Sequence, residues 1–185
     1  MPDLPSLPWL VRWAALCAAV SILTACSQVR TSDPAMPTNA PPEFLITADK
    51  SGDRVTVTAD AARAIVDVWS ESGIGGAHVS LAAGQMPQSV LMRFHLRGLE
   101  QMAFAFGATE VRLSLPSSGA GQPVLQSVLS GEQESAIGPD SPYWMTVTQN
   151  TQAGSGEAYY EVTAPPAFSS SPTTSFSLRW IDFFR

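Results

Sequence analysis

The chain has 185 residues and a formal net charge of −6, with 10 Lys and Arg against 16 Asp and Glu. That balance excludes the basic footprint of a nucleic-acid binder, which must neutralise phosphates. Two cysteines, Cys17 and Cys26, both near the start, leave everything after residue 26 without a disulfide, a thiolate metal site or a thiol nucleophile.

In chain order, Arg12 supplies one positive charge ahead of an apolar run from Trp13 to Leu23. The run covers about 11 residues, well short of the ~20 that span a bilayer as a helix. It reads as the apolar region of an export signal. The run closes on Leu23-Thr24-Ala25-Cys26, which resembles the lipobox of bacterial lipoproteins. That resemblance implies a signal peptide over residues 1–25, cleavage before Cys26, and acylation of the Cys26 thiol and the new amino terminus. Each buried methylene is worth about 0.8 kcal/mol, and two or three chains make the attachment effectively stable. Ser27 stands where the enterobacterial sorting pattern places Asp for retention in the inner membrane. The resemblance therefore implies a lipid anchor, palmitate among its acyl chains, in the outer membrane facing the periplasm.

Residues 27–42 (SQVRTSDPAMPTNAPP) carry four prolines and no apolar period, the composition of a tether. With Cys26 they make a linker over 26–42, followed by one folded domain over 43–185. The 160 residues left after the signal keep the net charge of −6, since Asp3 and Arg12 leave together.

In the folded region the apolar residues recur at period two, the spacing that sends alternate side chains to opposite faces of a strand. Val55 and Val57 alternate with threonines, Val79 and Leu81 with His78 and Ser80, and Met92, Phe94 and Leu96 with Arg93, His95 and Arg97. The pattern continues at Met102, Phe104 and Phe106, at Val111, Leu113 and Leu115, and at Tyr143, Met145 and Val147; two more strands are predicted near 157–163 and 174–184. Turn-forming clusters at 72–76, 116–123, 138–142, 150–156 and 164–172 separate them. Nine to eleven strands with one apolar face predict an all-β fold, an antiparallel β-sandwich of jelly-roll type. Residues 60–70 (DAARAIVDVWS) also fit a helical stripe; a strand from Ala64 is the reading taken.

Catalytic and cofactor motifs are missing. Ser155 has alanine where a nucleophile elbow needs its first glycine, and His78 stands where a dinucleotide loop needs its third. No cofactor or metal is expected. A hairpin of residues 77–82 and 90–97 would pair Val79 with Phe94 and set His78 across from His95, between Arg93 and Arg97. That face has two readings, a binding surface for an anion or sugar hydroxyl, or a covered face whose arginines pair with carboxylates such as Glu100 or Asp182. Near the end of the chain, Asp182 lies among Trp180, Ile181, Phe183, Phe184 and Arg185. An acid so placed is expected to be paired in a structural clasp with its neighbours, its lesser reading being a catalytic carboxylate.

The strings SGIGGA (72–77), VLMRFHLRGLE (90–100) and WIDFFR (180–185) resemble those of a family of exported bacterial proteins of unassigned function, with SGIGGA, LRLHLRGLE-like and terminal WIDFYR-like motifs. The resemblance implies a single domain over most of residues 60–185 and brings no activity with it. The pattern's tryptophan is replaced by Met86 and its tyrosine by Phe184, which removes two aromatic groups that could stack on a sugar. Three functions stay in view: a non-enzymatic envelope module that binds glycan or protein, an envelope hydrolase using Asp182 or Glu100 with His95, and a structural or assembly role.

Overall fold

The computed structural model describes residues 42–71, 73–82, 85–116 and 124–182. Cys26, the signal and almost all of the expected tether lie outside them, as do Phe183, Phe184 and Arg185. The described chain is an all-β sandwich of two sheets. Its strands are β1 (Phe44–Ala48), β2 (Arg54–Ala59), β3 (Arg63–Trp69), β4 (Gly73–Leu81), β5 (Ser89–His95), β6 (Gln101–Phe106), β7 (Thr109–Ser114), β8 (Leu125–Ser130), β9 (Gln133–Ile137), β10 (Thr146–Thr151), β11 (Ala158–Thr163) and β12 (Ser175–Asp182). One short helix, α1 (Ala167–Ser170), interrupts the stretch expected to be a turn. The seven-stranded sheet runs β1-β4-β12-β6-β7-β8-β9 and the five-stranded sheet β10-β11-β5-β3-β2.

Alternation decides what each strand buries. Val66 and Val68 of β3, Met92 and Phe94 of β5, and Val162 of β11 point inward from the smaller sheet. Val79 of β4, Phe104 of β6, Leu113 of β7 and Leu178 and Trp180 of β12 meet them from the larger one. The Phe94 and Trp180 rings touch edge to face at 6.2 Å across the core. At one end, Phe168 of α1 closes a group of four phenylalanines with Phe104, Phe106 and Phe176.

The expected hairpin of residues 77–82 and 90–97 does not form. β4 pairs with β1 and β12 in one sheet, whereas β5 pairs with β11 and, in parallel, with β3 in the other. The parallel β3–β5 pair needs a crossover, and β4, lying in the facing sheet, provides it. Val79 and Phe94 thus face the same core from opposite sheets. The period-two pattern fixes which side chains go inward but is silent on which sheet a strand joins.

Two further differences have local causes. The glycine run at 73–76 lies inside β4 and is not a turn. A Cβ on Gly75 would fall 2.4 Å from the Trp180 indole, and one on Gly76 would fall 2.2 Å from the Asp49 carboxylate. Both glycines admit close neighbours from within the sheet. The β8–β9 hairpin was not expected because β9 is an exposed edge strand with no apolar alternation; Gly131, at φ 62°, lies in its turn.

Buried Gln126 clamps the segment leading into β10. Its Nε2 donates to the Met145 carbonyl at 2.7 Å, and the Met145 N–H donates to its Oε1 at 2.8 Å. The amide does for residue 145 what a neighbouring strand does for a ladder residue. Gln126→Leu is expected to strand both Met145 backbone groups and to cost about 2–4 kcal/mol in urea unfolding; a loss below about 1 kcal/mol would show that water replaces the amide.

Candidate functional site

The outward residues of the five-stranded sheet form two cross-strand rows. The first contains Arg54, Trp69, His95 and Tyr159, from β2, β3, β5 and β11. The Arg54 guanidinium lies 3.9 Å from the Trp69 ring centroid. Trp69 stacks on His95 at 4.8 Å and 8°, and His95 on Tyr159 at 5.3 Å and 23°. Because the rings stack on one another, they stand on the sheet and present edges to solvent. Cation–π and aromatic contacts of this kind are worth about 0.5–1.5 kcal/mol each.

Two residues along each strand, the second row holds Asp67, Arg93 and Glu161. Asp67 is only 7 % exposed although it points away from the core. Its two oxygens accept from Arg93 Nη2 at 2.7 Å and from His95 Nε2 at 2.8 Å. Burial pushes the Asp67 carboxyl up, but the hydrogen bonds from Arg93 and His95, together with the Arg93 charge, outweigh it and hold the group below the ordinary carboxylate value. The same bond raises Arg93. An ionised Asp67 accepts only, so His95 carries a proton on Nε2. Beyond Arg93, Asn150 of β10 donates to Glu161 at 2.8 Å, which carries the ordered surface to the edge of the sheet.

At the strand ends beside the first row, an open cavity of about 720 Å³ is bordered by Trp69, Glu71, His95, Arg97 and Glu157. The four side chains singled out from sequence are therefore divided. Arg93, His95 and Arg97 belong to this surface, with Asp67 as the carboxylate partner of Arg93, in place of Glu100 or Asp182. His78 is elsewhere, on the outer face of the seven-stranded sheet, where its Nδ1 lies 2.9 Å from Ser177 Oγ. The pairing of the two histidines fails with the hairpin that would have produced it. Asp67 and Trp69 were not singled out, since their stretch also fitted a helix. The available signal was an acid between Val66 and Val68 in a strand pattern.

A second polar cluster lies on the outer face of the seven-stranded sheet. Glu110 accepts from Arg112 Nε at 2.6 Å and from Arg179, and Arg112 reaches on to Glu134 at 3.2 Å. Burial raises the Glu110 carboxyl, but the two guanidiniums overcome it and hold it low. These residues border a trough of about 630 Å³ floored by Ala103 and Ala136. Nothing in the spacing along the sequence joins Glu110 to Arg179; the β12–β6–β7 ladder does.

Asp182 is wholly buried at the inner face of β12. Its Oδ1 accepts from the Gly98 N–H at 3.0 Å, tying the last described strand to the turn after β5, and Oδ2 has no partner among the described residues. Burial raises this carboxyl, against the opposing pull of the Gly98 and Arg97 backbone N–H groups. Trp180 beside it is buried over Gly75. Among the described residues no three His, Asp or Glu side chains converge as metal ligands.

The two aspartates should respond to pH with opposite signs. Asp67 has a folded pKa below its unfolded one, so its stabilisation is complete above the ordinary carboxylate range and is lost as pH falls through the lower folded value. Asp67→Asn is expected to lower stability by about 1–2 kcal/mol at neutral pH, with the deficit closing in acid. Asp182 has a raised folded pKa, so the penalty of its charge is absent below the unfolded value and grows as pH rises through the folded one. Asp182→Asn, whose oxygen can still accept from Gly98, is expected to raise the urea midpoint at neutral pH and to leave it unchanged at about pH 3. No family model matches the chain, and no curated protein or solved structure matches it either, so a reading of function rests on the side chains just described.

Proposed function

We propose that this chain is a lipid-anchored protein of the cell envelope, held in the outer membrane facing the periplasm through Cys26, whose β-sandwich binds an envelope component without catalysing a reaction. The binding surface is the outer face of the five-stranded sheet. One observation carries this: Asp67, on an outward position, is almost fully buried and fixed at both oxygens by Arg93 and His95. A merely solvated sheet face needs no such arrangement, and exposed ion pairs return little stability. Here five strands place rigid, directional polar groups and ring edges on one surface, which is how a site is preorganised.

The hydrolase alternative has less support. Asp182 is sealed in the core, and neither it nor Glu100 borders the cavity beside His95, so the acid–base pair expected from the sequence is not assembled there. An assembly role has one observation in its favour. The three large apolar side chains most exposed among the described residues, Leu45, Ile74 and Leu125, all point outward from the seven-stranded sheet, where a second protein could cover them.

The anchor is tested in cells: the full chain is expected to take up a labelled fatty acid and to fractionate with membranes, and Cys26→Ser to lose both. Retention of label in that variant would remove the lipoprotein reading. The surface is tested by a photo-crosslinking residue at position 161, which should capture an envelope component that the same residue at position 127 does not.

A further inference from the structure

The Asp67 bond does more than fix His95 in place. It chooses which nitrogen of the ring is left to act. The two nitrogens of an imidazole flank one carbon and point in widely divergent directions, and Nε2 is turned toward Asp67, one row in from the strand ends. The edge bearing Nδ1 is therefore turned the other way, toward the ends of β3 and β5, where the cavity opens. In the neutral ring, a proton held on Nε2 by an ionised carboxylate leaves Nδ1 to offer a lone pair. Stacking between Trp69 and Tyr159 keeps the ring from turning.

Around that lone pair the cavity is lined by further acceptors. Glu71 and Glu157 border it from the chain after β3 and the chain before β11, with Arg97 as the cationic member. An acceptor nitrogen and two carboxylates suit a ligand rich in donors. A divalent cation is disfavoured, because among the described residues no three His, Asp or Glu side chains converge as metal ligands. An acidic ligand would be repelled by the two carboxylates. The stacked rings offer edges instead of an open face, so recognition here is by directional hydrogen bonds and not by laying an apolar face on a shelf.

Resting on the envelope-binding reading above, we propose that the cavity at the strand ends is a saccharide subsite, in which His95 Nδ1 accepts a ligand hydroxyl and Glu71 and Glu157 accept its neighbours. It takes neutral or amino-bearing sugars and discriminates against acidic ones. Trp69 and Asp67 are positioning residues that act through His95.

The test uses the full lipidated chain in detergent micelles, with neutral, N-acetylated amino-sugar and uronic-acid oligosaccharides as probes. Calorimetry should show binding of the first two and not the third. Long-range imidazole nitrogen spectra provide a second readout, and the chain's two histidines make assignment simple with His78→Gln. The Nδ1 signal of His95 should move on saturation while that of His78 stays. His95→Gln should weaken binding at least about tenfold, the scale of one lost hydrogen bond of about 1.4 kcal/mol. Glu157→Gln, on an exposed side chain, should weaken it severalfold without touching the stacked row, and Arg112→Ala should leave it unchanged.

Saccharide binding indifferent to His95→Gln and Glu157→Gln would overturn the subsite while keeping a glycan-binding protein. No saccharide binding, together with a position-161 crosslink to protein, would overturn the ligand class and keep the binding face. The absence of both would remove the face as well.

Discussion

The fold turns on the contact between Trp180 and what lies on either side of it. Its indole rests on Gly75 of the neighbouring strand, at a spacing that leaves no room for even a methyl group, and meets Phe94 of the facing sheet edge to face. One side chain thus joins two strands of one sheet to the central strand of the other. Interiors packed to this density have discrete arrangements and do not deform smoothly, so the strand ends around Trp180 are held in one relative position. Asp182, two residues on, extends the same joint by accepting from Gly98. The segment that follows β5, and with it the base of the cavity at His95, is fixed from within the core.

A consequence is that the two outer faces differ in kind. The smaller sheet turns out a pinned surface, with stacked rings in one row and an ionised aspartate in the next. The larger turns out a neutral charge network of two arginines and two glutamates above small residues, edged by exposed aliphatic side chains. Both contain charge, but only in the first does a carboxylate settle the direction in which another group can act. Orientation of that sort is what the proposed recognition surface depends on.

Much of the architecture could be read along the chain. Alternation at Val55 and Val57, at Met92 and Phe94 and at Val111 and Leu113 marked strands and their buried faces, because a strand in a two-layer fold has one dry side. Residues 60–70 were ambiguous because their apolar residues also fit a helical stripe, and Asp60 accepts from the Ala62 and Arg63 N–H groups at 2.8 Å each, bonds that can also cap a helix. Here they close the turn from β2 into β3. The β8–β9 hairpin escaped because an edge strand needs no apolar side, and the strand expected around 143–147 starts only at Thr146, since Met145 is held by a side chain. The histidine pair failed because sheet membership is decided by long-range pairing. Arg93 and His95 could be found from sequence, whereas Asp67 could not be joined to them until β3 and β5 were known to run side by side.

The order of strands in the larger sheet also constrains when this protein can fold. β12, the last strand described, is not at an edge but between β4 and β6. Until it arrives, β4 and β6 have no partner between them, and the pairs that build the sheet's middle join residues from 70 to 109 positions apart. Such topology makes for slow closure. It also means that the larger sheet stays split in two until residues 175–182 are available, although every strand of the smaller sheet has been made by Thr163.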